Sequence, residues 1–245
     1  MSIDLQWKLR YDPDMSVSQG TLSAQNLLGH RLDGKNWTVV EQLERAPCAT
    51  GGNYSYGYAV DDGHGKLSFL KAFDFSSARN SPDPALAVQA MINAYVHERK
   101  VLQLCGNKGL SRVVRAIDSG MIQAPSEPGG MIFYLVFEQA EADVRSMHEG
   151  MQRLDIAWRL SILHHVSVGL NQLHLLGIAR QDVKPSNILL YPALEAKLSD
   201  LGRACCKMID TPHSEQAIAG DPDYAPPELL YGKIDPNWHQ RKTGV

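Results

Sequence analysis

The sequence is poor in the features that mark secreted, membrane-spanning and nucleic-acid-binding proteins. Four cysteines occur in 245 residues, and their spacing forms neither a C-x-x-C pair nor a secreted disulfide framework. No apolar run approaches about 18 residues, and the N-terminus lacks a basic stretch followed by an apolar one. A net charge of −3 gives no indication of a nucleic acid or an anionic membrane as a partner. Together these absences favour a reduced, cytoplasmic setting.

The apolar content suffices for a sizeable core, arranged as a strand-rich half followed by a helix-rich half. Hydrophobic residues make up 44% of the chain. The predicted strands cover residues 37–40, 54–60, 66–73, 113–117 and 131–137, and the predicted helices cover residues 84–104 and 154–176. Asp83 should cap the first helix, with Pro84 at its first position. The second helix should bury one face, formed by Ile156, Leu160, Leu163, Val166, Leu170 and Leu173. This order of elements predicts a two-lobed α+β architecture.

Residues 182–187, Asp-Val-Lys-Pro-Ser-Asn, carry the clearest chemical signal, and Asp200 follows 18 residues after Asp182. Transfer of a phosphoryl group from a nucleotide needs a carboxylate to orient the attacking hydroxyl, a cation near the moving phosphate and oxygen ligands for Mg²⁺. Asp182 can orient the hydroxyl, Lys184 can neutralise charge, and Asn187 with Asp200 can hold the metal. Two short strands, predicted at residues 188–190 and 196–199, would bring both carboxylates to the same side.

This stretch resembles the eukaryotic-type protein kinase family, and the resemblance extends over roughly residues 37–231. Asp182 matches the catalytic-loop aspartate of the pattern H-R-D-L-K-P-x-N, and Asn187 matches its metal-binding asparagine. Residues 200–202, Asp-Leu-Gly, are similar to D-F-G, and residues 220–228 are similar to the segment that closes the activation loop. The resemblance implies a protein-kinase-like bilobed fold, with an antiparallel N-lobe sheet, one long helix and a partial helical C-lobe.

The phosphate-binding residues follow from the same resemblance. Lys71, at the end of the third strand, is similar to the V-A-I-K lysine that holds the α- and β-phosphates. Glu98 on the long helix matches the glutamate that forms an ion pair with this lysine. Gly51 and Gly52 stand where a glycine-rich loop covers the phosphates, although the third glycine of G-x-G-x-x-G is displaced.

The resemblance also places the adenine-binding hinge and divides the chain. Backbone groups of Glu138 and Ala140 would contact the base, next to a gatekeeper side chain at Phe137. Residues 1–35 are predicted to be an N-terminal arm, residues 36–138 an N-lobe and residues 139–245 a partial C-lobe. ATP and Mg²⁺ are the implied cofactors. A nucleotide and a protein substrate are the implied partners, and neither nucleic acid nor membrane is expected.

Two positions and the C-terminal part of the chain depart from the family pattern. Gln181 replaces the arginine that pairs in relatives with a phosphorylated activation loop, so switching by loop phosphorylation is less expected. Asp221 stands where a threonine usually bonds the catalytic aspartate; its carboxylate could crowd Asp182 and raise one pKa, or pair with Lys184. The family's further helices, and the arginine that pairs with the equivalent of Glu228, do not follow. The chain is therefore expected to be a fragment or to have an unusually small helical lobe.

The residues leave three interpretations of function open. An ATP- and Mg-dependent protein kinase acting on serine or threonine hydroxyls is favoured because every required group is present. A tyrosine substrate is disfavoured because Lys184 follows Asp182 by two residues, as in the serine/threonine type. The altered glycine loop, Gln181 and Asp221 instead favour a non-catalytic nucleotide-binding scaffold. A small-molecule kinase of related fold is third, since Lys184-Pro185 and the A-P-P-E segment are typical of the protein-kinase branch.

Overall fold

A computed structural model describes residues 22–32, 34–43, 55–150, 155–212 and 219–231, apart from the side chains of Glu149, Gly150, Glu228 and Leu229. This part of the chain contains ten strands and four α-helices. No helix among the described residues is both long and apolar enough to cross a membrane. The expectation that Glu228 lacks its arginine partner concerns a side chain outside the described part.

The first half of the chain forms a five-stranded antiparallel sheet that positions Lys71. Its strands are β1 (Thr38–Gln42), β2 (Ser55–Asp61), β3 (Leu67–Phe73), β4 (Ala116–Gln123) and β5 (Met131–Glu138). Their spatial order is β1-β2-β3-β5-β4. The carboxylate of Asp62 accepts a hydrogen bond from the backbone N–H of His64 at 2.8 Å in the β2–β3 turn. Lys71 lies on the central strand, opposite Gly57 of β2 and Leu135 of β5.

Residues 22–32, which fall within the predicted N-terminal arm, lie against this sheet. Ala24, Leu27 and Leu32 are buried in one cluster with apolar side chains of the strands, including Leu70. The hydroxyl of Tyr58 donates to the carbonyl oxygen of Ala24 at 2.8 Å. These contacts cover one face of the sheet and leave the other face for the long helix.

The first helix, α1 (Pro84–Asn107), begins and packs as its sequence predicts. The Asp83 carboxylate accepts a hydrogen bond from the backbone N–H of Leu86 at 3.0 Å, which confirms the predicted N-cap. Tyr95 and Val101 are buried in the same core as Leu135 of β5. Since residues three and four apart share a helix face, this packing holds Glu98 on the side of α1 that faces the sheet and the second half.

The second half of the chain combines two small sheets with helices. Its strands are β6 (Ala142–Asp143), β7 (Ile178–Ala179), β8 (Ile188–Tyr191), β9 (Glu195–Leu198) and β10 (Cys205–Cys206), and its helices are α2 (Val144–Gly150), α3 (Ile156–Leu175) and α4 (Pro227–Leu230). β6, β8 and β9 form one sheet in that order, and β7 pairs with β10. The predicted pair of short strands after residue 187 is present as β8 and β9. The α+β, bilobed fold class is confirmed.

The strand predicted at residues 113–117 is wrong in its bounds. The structure has β4 at Ala116–Gln123, while Val113 and Val114 cross to the second half, where the Val114 N–H donates to Leu198 O at 2.8 Å. Polar residues within β4 interrupt its hydrophobic pattern, so hydropathy did not predict the whole strand. Asp118 belongs to the strand because it pairs with Val136 of β5, and its carboxylate accepts hydrogen bonds from Trp37 and Lys35 at 3.0 and 2.8 Å.

The predicted buried face of α3 is confirmed in the second half of the helix and wrong in the first half. Ile156, Leu160 and Leu163 are 73%, 60% and 61% exposed, whereas Val166 and Leu170 pack partly buried against the core and Leu173 is fully buried. Gly169 lies in the buried half, where an added Cβ would lie 2.8 Å from the carbonyl oxygen of Arg112. Hydrophobic spacing could not separate these two halves, because apolar residues recur at the same spacing in both.

Candidate active site

A cleft of about 430 Å³ lies between the five-stranded sheet and the small sheet of the second half. Lys71 on β3 and Phe137 on β5 line one side of the cleft. Ala140 lies in the connection between the halves and also lines the cleft. Asn187 and Asp200 line it on the side formed by the second half. A concave site with a few converging polar groups is the usual form of a small-ligand site.

Lys71 joins two carboxylates that come from different parts of the chain. Its Nζ lies 2.9 and 3.0 Å from the two carboxylate oxygens of Glu98 and 3.2 Å from Oδ1 of Asp200. Burial opposes charge on Lys71, but the carboxylates of Asp200 and Glu98 raise its pKa above the ordinary value. The Lys71 charge in turn holds the pKa of Asp200 well below its usual range. Both Lys71 and Asp200 are therefore charged at neutral pH.

Glu98 is the most enclosed member of this group. Its side chain is 3% exposed, and burial raises its pKa while the charge of Lys71 acts in the opposite direction. Gly202, in the turn that follows Asp200, lies against it, since an added Cβ there would be 3.2 Å from Oε2 of Glu98. Glu98 therefore contacts both the lysine and the turn that positions the second carboxylate.

Asp182 is held by both of its carboxylate oxygens. Oδ1 accepts a hydrogen bond from the backbone N–H of Asp221 at 2.9 Å, and Oδ2 accepts one from Nδ2 of Asn187 at 2.9 Å. Asn187 is fixed in turn because a short 3₁₀ turn, Pro185–Asn187, leads directly into β8. Asp182 is only 7% exposed. A carboxylate held in this way has a single orientation, which is what a group that aims a hydroxyl requires.

Lys184 bridges two carboxylates beside Asp182. Its Nζ lies 3.1 Å from Oδ2 of Asp221 and 3.7 Å from Oδ2 of Asp182, and the side chain is 3% exposed. Of the two outcomes left open for Asp221, the structure therefore has the ion pair with Lys184. The lysine separates two negative charges that would otherwise repel each other.

Arg180 is a buried cation that the sequence reasoning did not identify as a site residue. It is 1% exposed, and its Nη2 donates to the backbone carbonyl oxygen of Ser199 at 2.5 Å. Burial lowers its pKa, and the carboxylates of Asp200, Asp182 and Glu98 counteract that effect. Its position directly before Gln181 and Asp182 was visible in the sequence, but its burial among three carboxylates depends on contacts distant in sequence.

The connection between the two halves has the predicted hinge residues at the cleft. Phe137 is buried, with its ring centroid 6.2 Å from that of Phe69. The Glu138 carboxylate forms an ion pair with Lys197 at 2.8 Å, so this side chain is tied to β9 rather than to the cleft. Both Glu138 and Ala140 line the cleft and could offer backbone groups to a flat heterocycle.

Two of the predicted site residues, Gly51 and Gly52, lie outside the described residues. The strand that follows them does reach the cleft, because Ser55, Tyr56 and Gly57 line it. At Gly57 an added Cβ would lie 2.9 Å from the ring of Phe69, so the small residue lets the β2 backbone lie close to that ring.

The chemistry of Asn187 and Asp200 suits a magnesium ion. Both line the same side of the cleft, and Asp200 is 35% exposed and ionised. Asn187 uses its amide N–H group on Asp182, which leaves its carbonyl oxygen as a ligand. Mg²⁺ commonly takes one or two protein oxygens, with water and phosphate completing the shell. Among the described residues no group of three or more His, Cys, Asp and Glu side chains could hold a metal alone.

Comparisons with known proteins agree with this geometry. Residues 56–243 match the family model described as the protein kinase domain. Over 189 residues, 75% of this chain and 40% of the relative, the sequence is 29% identical to the serine/threonine-protein kinase PknA of Mycobacterium tuberculosis. It is 36% identical over 103 residues to the serine/threonine-protein kinase PkaB of Streptomyces coelicolor, covering 37% of this chain and 24% of that protein.

A vertebrate relative matches more of this chain. The sequence is 29% identical over 234 residues to the dual serine/threonine and tyrosine protein kinase of Gallus gallus, covering 95% of this chain and 22% of the relative. The chain thus spans less than half the length of each of these curated relatives.

Proposed function

The chain belongs to the protein kinase family, and on that premise we propose that it transfers the γ-phosphate of ATP to serine or threonine hydroxyls of a protein substrate. The observation that carries the proposal is the arrangement around Asp182, whose two oxygens are held while it stays close to a buried lysine. The ion pair between Lys71 and Glu98 supports the same conclusion, because an aligned lysine is needed beside the phosphates.

In the proposed reaction, Lys71 binds phosphate oxygens of the nucleotide, and its pair with Glu98 fixes the direction from which it approaches. Asp182 accepts a hydrogen bond from the substrate hydroxyl and orients that oxygen towards the γ-phosphorus. The new O–P bond forms as the bond to the β–γ bridging oxygen breaks, so ADP leaves and the hydroxyl proton passes to Asp182. Lys184 offsets negative charge that develops on the transferring group.

A metal ion would complete the charge balance of this site. Mg²⁺, when held by Asp200 and Asn187, would neutralise phosphate oxygens during transfer. The hinge residues Glu138 and Ala140 would bind the adenine through backbone groups. A hydroxyl amino acid is proposed as the acceptor because Lys184 lies two residues after Asp182, and because the relatives above are named as serine/threonine or dual-specificity kinases. A cytoplasmic setting is part of the proposal, supported by the free thiols of Cys105, Cys205 and Cys206.

The test is γ-phosphate transfer from ATP with Mg²⁺ to a panel of serine-, threonine- and tyrosine-containing peptides. We expect Asp182→Asn and Lys71→Met each to lower the rate about 100-fold or more. Matched controls are Asp223→Asn and Lys66→Met, which change the same residue types at exposed positions. Equal residual transfer in the wild type and the two site variants would contradict the proposal.

The same experiment separates the alternatives. A scaffold would show nucleotide-dependent thermal stabilisation, abolished by Lys71→Met, without transfer in any variant. A small-molecule kinase would transfer phosphate to a small alcohol and to none of the peptides. In either case the serine/threonine assignment would be wrong.

A further inference from the structure

Phe69 is a cleft residue to which the reaction described above gives no role. It lies on β3, two residues before Lys71, and both side chains line the cleft. In the pattern V-A-I-K the residue two places before the lysine is alanine, so this chain has a phenyl ring where the pattern has a methyl group. The ring adds a large apolar surface to one wall of the site.

The register of the sheet places Phe69 between Lys71 and the connection that joins the two halves. Alternate residues of a strand share a face, so Phe69 and Lys71 lie on the same face of β3, about 7 Å apart along the strand. Phe69 pairs with Phe137 of β5, and the adjacent residue, Ser68, pairs with the last residue of that strand, Glu138. A nucleotide whose phosphates bind Lys71 and whose base meets the connection would therefore have its base next to Phe69.

The small size of Gly57 determines where the Phe69 ring lies. Gly57 is on β2, diagonally across from Phe69, and an added Cβ there would be 2.9 Å from Cε2 and 3.2 Å from Cζ of the ring. The tip of the ring therefore occupies space that a larger residue at position 57 would need. Towards β5, the ring centroid lies 6.2 Å from that of Phe137. The two neighbouring strands thus fix the ring on the wall of the cleft.

The wall of the cleft that belongs to the second half is apolar as well. Leu189 on β8 lines the cleft, and Ala140 and Ala142 line it at the connection. A flat heterocycle between Phe69 and Leu189 would have apolar surface on both of its faces, while its edge met backbone groups of the connection. Nucleic-acid bases stack favourably on aromatic side chains, because each base has a π face of its own.

We propose that Phe69 is a specificity-determining residue: its ring, packed against Gly57, stacks on the base of the nucleotide and adds affinity that the phosphates do not supply. The inference rests on the proposed function in taking a nucleotide as the ligand. Stacking concerns binding alone, so its test needs no phosphate transfer.

The first measurement compares two ligands by calorimetric titration in the presence of Mg²⁺. ATP carries the base, whereas inorganic tripolyphosphate carries three phosphates without it. Phe69→Leu removes the ring and keeps much of the apolar volume, and we expect it to raise the Kd of ATP about three- to tenfold. The Kd of tripolyphosphate should stay within about twofold, because Lys71 is unchanged. An unaltered Kd of ATP, or an equal change for both ligands, would overturn the inference.

Phe75→Leu is the matched control for this substitution. Phe75 is buried, with its ring centroid 5.7 Å from that of Phe133, and it does not belong to the residues that line the cleft. The control therefore removes a phenyl ring from the same half of the chain without altering the site. At a temperature at which every chain is folded, its Kd for ATP should equal that of the wild type.

The second measurement tests the packing of the ring against Gly57. Gly57→Ala adds a methyl group beside Cε2 of Phe69, so the ring must leave its position, and the Kd of ATP should rise about threefold or more. In a chain that already carries Phe69→Leu, the same methyl group meets a shorter side chain, and its effect should be smaller. A double-mutant cycle measures this difference. If Gly57→Ala had the same effect with and without the ring, the packing argument would be wrong.

Steady-state kinetics distinguish a failure of this inference from a failure of the proposed function. If the chain transfers phosphate, Phe69→Leu should raise the KM for ATP and leave kcat within about twofold, since the base contact is the same in the ground state and the transition state. If ATP binds and no chain transfers phosphate, the proposed function fails, while the calorimetric data still decide the role of Phe69. If transfer occurs and Phe69→Leu binds ATP as tightly as the wild type, the stacking role fails alone. A wild-type chain that bound no nucleotide would contradict both.

Discussion

Asp221 and Asp182 are joined through the backbone of one and the side chain of the other. The Asp221 N–H donates to Oδ1 of Asp182 at 2.9 Å, while the Asp221 carboxylate lies 3.1 Å from Nζ of Lys184. Asp221 thus helps to orient the Asp182 carboxylate and supplies a counter-charge for the neighbouring lysine. A threonine here could reproduce the backbone bond but not the ion pair.

The ion pair gives the first prediction, for Asp221→Thr. The Asp182 bond should persist because a backbone N–H provides it, but the buried Lys184 would keep only its 3.7 Å contact with Asp182. We expect the free energy of unfolding to fall by about 1–3 kcal/mol, since a buried charge loses its nearer partner. Transfer should fall about tenfold as Lys184 moves towards Asp182. Denaturant unfolding and steady-state kinetics measure both effects. Asp223→Asn, at an exposed neighbouring position, is the control, and equal stability of the two variants would contradict the argument.

A second prediction concerns the close approach of Gly220 to the catalytic loop. An added Cβ would collide with the carbonyl oxygen of Gln181 and lie 3.0 Å from Cα of Asp182. Because both obstacles are backbone, Gly220→Ala should displace one of the two segments, costing about 1–3 kcal/mol and lowering transfer. Gly106→Ala is the matched control, since nothing lies within 4 Å of a Cβ there. That change in the last turns of α1 should stabilise the fold by about 0.4–1 kcal/mol. A Gly220→Ala chain that unfolds at a higher temperature than the Gly106→Ala chain would be incompatible with the structure.

A third prediction follows from the Tyr58 hydroxyl, which holds Ala24 against the sheet. At pH 8 we expect Tyr58→Phe to lower the free energy of unfolding by about 1 kcal/mol, since the carbonyl oxygen of Ala24 loses its donor. Burial raises the pKa of Tyr58 from 10.0 to about 12. The folded state therefore binds this proton more tightly than the unfolded state, so the contribution is complete below pH 10 and is lost between pH 10 and about 12. Over that window the wild type should lose stability relative to the variant.

The measurement is urea unfolding of both chains at intervals across this window, and the difference removes the titration of all other groups. Tyr224→Phe removes the same hydroxyl at an exposed position and is measured beside them as the control. If the free energies of unfolding of wild type and Tyr58→Phe differed by a constant amount from pH 8 to pH 12, the argument from burial would be refuted.

Much of the fold and part of the site could be predicted because their signals are local. Asp83 followed by Pro84 is sufficient to start a helix, since the cap and the fixed φ act within one turn. The order of Lys71, Glu98 and Asp182 on strand, helix and loop depends on short patterns, and the structure brings Lys71 and Glu98 within 2.9 Å. Local chemistry therefore identified the residues that meet.

The remaining features depend on contacts between distant segments. In the sequence, His97 is one more polar residue on a charged helix. Only the structure shows that its ring nitrogens contact the carbonyl oxygens of Ala204 and Asp210. Arg180 is buried where its guanidinium donates to the carbonyl oxygen of Ser199, a contact between residues 19 positions apart. The buried face of α3 was predicted correctly only in the second half of the helix, because apolar residues in the first half, such as Ile156 and Leu160, face solvent. No pattern of hydropathy within one element contains this information.

The fourth prediction separates stability from activity at Glu98. Burial raises the pKa of this carboxyl, so its charge is costly, and Glu98→Gln would remove the charge while keeping the shape. Lys71 would retain Asp200 at 3.2 Å. We expect the free energy of unfolding to change by less than about 1 kcal/mol while transfer falls at least tenfold, because Lys71 loses the partner that fixes its direction. Lys71→Met should instead destabilise the fold, since Glu98 and Asp200 lose the cation that is bonded to both of them. Thermal unfolding beside steady-state kinetics tests the contrast, and a Glu98→Gln chain that transfers phosphate at the wild-type rate would exclude a role for this ion pair in catalysis.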